Sequence, residues 1–100
     1  MMWYVFNAKD KKDTLDLRLK HRPEHLARLK LLIQKGRLLV AGAYPAVDSI
    51  DPGSNGFLGS LIIAEFDSID EAQNWADEEP FLKYGIYESI DVKPFRKSLP

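Results

Sequence analysis

Three strand-like runs in this chain have no polar face, and that limits its fold more than any other feature of the sequence. Trp3 to Ala8 is aromatic and β-branched, as strands favour, and it sets Trp3, Val5 and Asn7 against Tyr4, Phe6 and Ala8. Leu38 to Tyr44 is apolar throughout, and Phe57 to Phe66 carries apolar residues on both faces. Because side chains alternate across a strand, a sheet made of these runs needs cover on both sides. A fourth strand, Ile86 to Phe95, sets Ile86, Glu88, Ile90 and Val92 against Tyr87, Ser89, Asp91 and Lys93. Its Pro94 suits a strand end or a sheet edge, where a missing N–H breaks no ladder.

Helical segments separate these strands. Asp13 or Thr14 caps a short piece carrying Leu15, Leu17 and Leu19. Proline fits the first turn of a helix but costs about 3 kcal/mol in its interior. Pro23 therefore predicts a separate main helix from Arg22 to Lys35, stopped by Gly36. Arg22, His25, Leu26, Leu29, Leu32 and Ile33 share one face of it, with Glu24 and Arg28 paired opposite. Pro45 to Gly56 reads as a long hairpin loop, and Gly42 as a bulge or a close approach by a ligand or another backbone. Ser68 or Asp67 caps a second helix that presents Ile69, Ala72, Trp75 and Ala76 and ends near Glu78, before Pro80. Phe81 to Gly85 is expected to turn the chain.

The order is β-α-β-β-α-β, the ferredoxin-like α+β pattern, in one domain spanning residues 1–100. Two helices cover only one face of a four-stranded sheet. The apolar second face predicts a homodimer formed through the sheet.

Composition narrows the function. With 14 basic and 15 acidic residues well mixed along the chain, nothing points to nucleic acid or an anionic membrane. Absence of cysteine removes disulfides, thiolate metal sites and cysteine nucleophiles. No apolar run approaches membrane-spanning length and no leader pattern is present, so a cytoplasmic protein is expected.

His25 is the first candidate for chemistry. In the first turn of a helix, one turn after Arg22, its ring is disfavoured as a cation, and a neutral imidazole can act as a general base. The competing reading is a hydrogen-bonded histidine at the border of the core. Glu79, at a helix end before Pro80, could orient that histidine, or could be one more solvated acid in Asp77-Glu78-Glu79. Arg22 could hold an anionic substrate group with its planar fork, or make a surface salt bridge. Ser60 is a candidate hydrogen-bond donor, and Gly42, on the neighbouring strand, lines the same region or is purely structural. His21 and His25 have the spacing of paired metal ligands, but no third ligand completes a set, so no metal and no other cofactor is expected.

The ordered set Arg22-Pro23-Glu24-His25-Leu26, Gly36-Arg37-Leu38-Leu39, Ala41-Gly42, Gly56-Phe57-Leu58-Gly59-Ser60, Trp75-Ala76, Glu79-Pro80-Phe81, Gly85-Ile86-Tyr87-Glu88 and Val92-Lys93-Pro94-Phe95 resembles the YciI-like (YCII-related) family over the whole chain. The resemblance implies a ferredoxin-like fold assembled as a dimeric α/β barrel. It also implies a pocket with a histidine–aspartate pair, in an architecture similar to muconolactone isomerases and small cofactor-free monooxygenases. Some relatives are dehydrochlorinating or ring-modifying enzymes. The histidine carries over onto His25 and the arginine onto Arg22. Where the family has Asp-Pro-Phe or Asp-Pro-Tyr, this chain has Glu79-Pro80-Phe81, one methylene longer.

The expected function is a small enzyme using His25 and Glu79 for acid/base elimination or isomerisation, with Arg22, Ser60 and Gly42 binding a small polar or anionic substrate. The alternative is a non-catalytic dimeric module for metabolite binding or assembly. It predicts a closed or apolar pocket and no approach of Glu79 to His25.

Overall fold

The computed structural model describes residues 1–100. Four strands, β1 (Met2–Asp10), β2 (Leu38–Pro45), β3 (Phe57–Phe66) and β4 (Tyr87–Phe95), form one sheet in the order β2-β3-β1-β4. All neighbours are antiparallel. This is the ferredoxin-like α+β arrangement, with β3 inserted between the two strands of a split β-α-β unit. The helices α1 (Leu15–Gln34), α2 (Ile69–Asp77) and α3 (Pro80–Lys83) complete the chain. The loop between β2 and β3 holds a single 3-10 turn, Gly53–Asn55.

The main core lies between the sheet and the helices. Tyr4, Phe6, Ile62, Ala64 and Phe66 pack against Leu29 and Leu32 of α1 and against Ala72 and Ala76 of α2. A second cluster, Ala8, Phe81, Ile86 and Tyr87, sits under α3 at the far end of β1. The site described below lies where these clusters meet.

Three expectations are corrected. First, Pro23 does not begin a helix: α1 runs unbroken from Leu15 to Gln34 with Pro23 inside it. The interior proline forgoes one backbone bond, but tertiary contacts hold the turns before it. Arg18, not Leu17 or Leu19, is the buried residue there, and it is tied to Asp10, Gly59 and Ser60. The helix does stop at Gly36 as expected. Gly36 adopts φ +68°, its N–H donates to Ile33, and the Arg37 N–H donates to Leu32, which satisfies the last carbonyls.

Second, the expected alternation in β4 is broken. Ala8 pairs with Ile90 and Lys9 with Ser89, but Asp10 pairs with Tyr87, so Glu88 is an extra residue. The bulge lets Tyr87 join Ile90 and Val92 on the core side rather than the side of Ser89 and Asp91. Third, the close backbone approach falls at Gly59, not Gly42. A Cβ on Gly59 would run into the Ala8 carbonyl, whereas one on Gly42 would meet open space.

Phe81 to Gly85 is also more regular than a turn. Its first residues belong to α3, with Glu79 as the N-cap. The capping by Ser68 at α2 is as expected, with its hydroxyl accepting from the Glu71 N–H at 3.1 Å.

Candidate active site

Continuous helix through Pro23 places His25 in the middle of α1, away from either end of the helix dipole. The electrostatic bias expected from a first-turn position is therefore absent. What fixes the ring instead is packing and one carboxylate. His25 is 8% exposed and stacks on Phe81, with centroids 4.2 Å apart and planes 9° apart. Its Nδ1 lies 2.5 Å from Glu79 Oε1. An ionised carboxylate only accepts, so Nδ1 carries the proton and donates. In the neutral ring that tautomer leaves the Nε2 lone pair on the side away from Glu79.

Glu79 is 1% exposed, and every oxygen has a partner. Oε1 accepts from His25 and, at 3.4 Å, from the Phe81 N–H, while Oε2 accepts from Arg28 Nη1 at 3.0 Å. Arg28 was expected to face outward and pair with Glu24. It turns inward instead, donates to the Trp75 carbonyl at 2.6 Å, and lies over the Trp75 ring at 4.3 Å. Burial pulls Arg28 below the usual guanidinium value and Glu79 pushes it back up. A carboxylate this deeply buried needs such a charge partner. Sequence reasoning missed Arg28 because its partner is 51 residues away.

Beside the His25–Glu79–Arg28 chain lies a second polar group, of which the sequence pointed only to Ser60. Arg18 Nε donates to Asp10 Oδ2 at 2.6 Å, and Nη2 reaches Asp10 Oδ1, the Gly59 carbonyl at 3.0 Å and Ser60 Oγ at 2.8 Å. The guanidinium is flanked by the rings of Phe57 and Phe81, each at 5.1 Å. Tyr87 completes the group. Its hydroxyl is the one fully buried side-chain polar atom with no hydrogen-bond partner. Burial pushes the phenol's pKa upward, with a smaller opposing influence from nearby Ser60.

Both groups border a cleft of about 750 Å³ between α1 and β2. Its walls are apolar, with Leu26, Leu29 and Ile33 on one side and Ala41, Ala43 and Pro45 on the other. His25, Arg18 and Ser60 line it, and Gly42 contributes backbone only. Arg22 also lines it, but as an exposed side chain with no ion pair, near Lys30. Glu79 is not part of the lining and stands behind His25. No acidic residue borders the cleft. No group of three His, Cys, Asp or Glu side chains converges anywhere in the chain, and His21 is instead stacked on Tyr84 at 3.7 Å. No helix is long and apolar enough to cross a membrane.

Comparison with known proteins places this geometry in context. A family model described as the YCII-related domain matches residues 2–96. The protein YciI of Escherichia coli O6:H1 is 58% identical over 96 residues, which cover 96% of this chain and 98% of that protein. An uncharacterized protein of Haemophilus influenzae is 46% identical over the same lengths. Among solved structures, 5-chloro-2-hydroxyhydroquinone dehydrochlorinase from Burkholderia phenoliruptrix AC1100, in complex with 2,5-dihydroxybenzoquinone, superposes with a TM-score of 0.84. It is 26% identical, and the match covers 97% of this chain and 96% of that one.

Proposed function

This chain belongs to the YCII-related family, and we propose that it is a small-molecule enzyme of the acid–base type, with His25 as the base. The observation that carries the proposal is the 2.5 Å contact between His25 Nδ1 and the buried Glu79, with His25 itself lining the cleft. A general base must present an unprotonated nitrogen to the substrate. The carboxylate secures that tautomer and stabilises the imidazolium once it forms. The longer Glu79 reaches His25 where relatives would use aspartate, and Arg28 holds its second oxygen.

The proposed reaction is proton abstraction followed by elimination or isomerisation. His25 Nε2 takes a proton from a C–H next to a carbonyl; the C–H pair becomes a C=C bond and the carbonyl π pair moves onto oxygen as an enolate. In an elimination the pair then returns and expels a leaving group as its anion; in an isomerisation His25 returns the proton to a different carbon. Arg22 and Lys30 at the mouth favour a substrate carrying negative charge. The apolar walls favour a ring, in keeping with the dehydrochlorinase neighbour and its quinone ligand. The chain acts in this reading as a homodimer through the open sheet face. The module alternative expected an apolar pocket, which the cleft walls match, but also that Glu79 and His25 stay apart, and they do not.

Nitrogen NMR tests the proposal together with turnover of 5-chloro-2-hydroxyhydroquinone. In the wild type Nδ1 of His25 carries the proton and Nε2 does not. Glu79→Gln abolishes that fixed tautomer, and His25→Gln lowers turnover about 100-fold or more. A His25 tautomer unaffected by Glu79→Gln, with turnover unchanged in His25→Gln, would refute the base.

A further inference from the structure

An enolate needs donors for its oxygen, and the base at His25 supplies none. Resting on the reading above, we infer that Ser60 and Arg18, backed by the buried Tyr87, form an oxyanion pole in the cleft that selects cyclic phenols and enols as ligands. The first reason is the proton count at Ser60. Its oxygen already accepts from Arg18 Nη2 at 2.8 Å. Tyr87, 1% exposed, has its unpartnered hydroxyl in the neighbourhood of Ser60. A small shift of either side chain lets the Tyr87 hydroxyl donate to the second lone pair of Ser60. The Ser60 O–H must then donate elsewhere, and Ser60 lines the cleft.

The second reason is the free end of Arg18. Nε and Nη2 are engaged, but Nη1 makes no hydrogen bond within the protein. Since the Tyr87 hydroxyl is the one fully buried side-chain atom without a partner, Nη1 reaches open space, and Arg18 borders the cleft. Asp10 fixes the guanidinium and offsets its net charge. The pole is therefore a set of oriented N–H and O–H dipoles within apolar surroundings, the arrangement that best stabilises charge developing on an oxygen. A buried chain of polarised hydroxyls strengthens its terminal donor further. None of this assists a hydrocarbon or an amine, so the ligand class is an oxygen acid conjugated to a ring.

The test uses 4-nitrocatechol, whose ionisation is read directly by its absorbance. Titration across pH with and without saturating wild-type protein is expected to show the phenolate bound at least tenfold more tightly than the phenol. Ser60→Ala should remove about tenfold of that preference, and Tyr87→Phe about threefold, as expected for hydrogen bonds to a charged group. Both changes delete only an oxygen, and thermal melting confirms that each variant is folded. His25→Gln should keep the phenolate preference while losing proton transfer. If Ser60→Ala and Tyr87→Phe bind phenolate like the wild type, the pole is refuted. If His25→Gln alone abolishes the preference, an imidazolium holds the anion, and the pole is refuted while the acid–base reading stands.

Discussion

At the scale of single residues, buried polar groups in this protein are nearly all matched, and the exception is informative. Burial pushes the Tyr87 phenol upward, so the native state holds its proton more tightly than the unfolded chain does. Below the ordinary tyrosine value of about 10 both states keep the proton, and its contribution to stability is complete. Above it the unfolded chain loses the proton first, and stability falls by up to about 1.4 kcal/mol per pH unit. Melting curves between pH 8 and 11 should therefore show a steep alkaline loss in the wild type and a shallower one in Tyr87→Phe. Equal slopes would mean that Tyr87 ionises freely. The residue-level site was half legible in the sequence. His25 and Glu79 stood out because each is an unusual type in its local setting. Arg18, Arg28 and Tyr87 did not, since each depends on a partner distant in sequence or on a bulge. Arg18 reads as one more charge on a polar helix until Asp10 and Ser60 are brought to it.

At the scale of elements, periodicity located the strands and α2 well, because hydrophobic alternation and capping are local signals. It failed at Pro23, where the proline penalty is local but the contacts that outweigh it are not. It also misplaced the critical glycine. Gly42 lies in an apolar strand and looked constrained, yet it sits on an edge strand facing open space. Gly59 looked like an ordinary strand start, yet its missing Cβ permits the approach of Ala8 on β1. The same contact positions the Gly59 carbonyl that accepts from Arg18. The two glycines make a paired experiment. Gly59→Ala should separate β1 from β3 and cost about 3 kcal/mol or more, as overpacking against an immovable backbone does. Gly42→Ala should change stability by less than about 1 kcal/mol. Urea unfolding measures both, and comparable losses would show that the constraint lies elsewhere.

At the scale of the whole molecule, the sheet presents one face to the helices and leaves the other bare. The register lines up Val5, Ile63 and Val40 across three strands on that bare face. Tyr44 donates to Asn7 across the same face at 2.9 Å, and Asp91 pairs with Lys93 at the β4 edge. An apolar row bordered by polar pairs is how a surface that meets another protein is commonly composed. Ile63 is already 9% exposed in the single chain, whereas Val40 is 48% exposed. Val40 is therefore the side chain of this row with most to gain from a second copy, about 0.7–1.5 kcal/mol per subunit if its exposed half is buried. Its exposure also means that a charge can replace it without disturbing the helix-side core. Val40→Glu should leave the circular dichroism and the chain's own fold intact while placing an unpaired carboxylate in the apolar row of each copy in a sheet-to-sheet pair. Sedimentation at micromolar concentration should give a dimer for the wild type and a monomer for Val40→Glu. A wild type that sediments as a monomer, or a Val40→Glu variant that remains a dimer, would rule out this face as the interface.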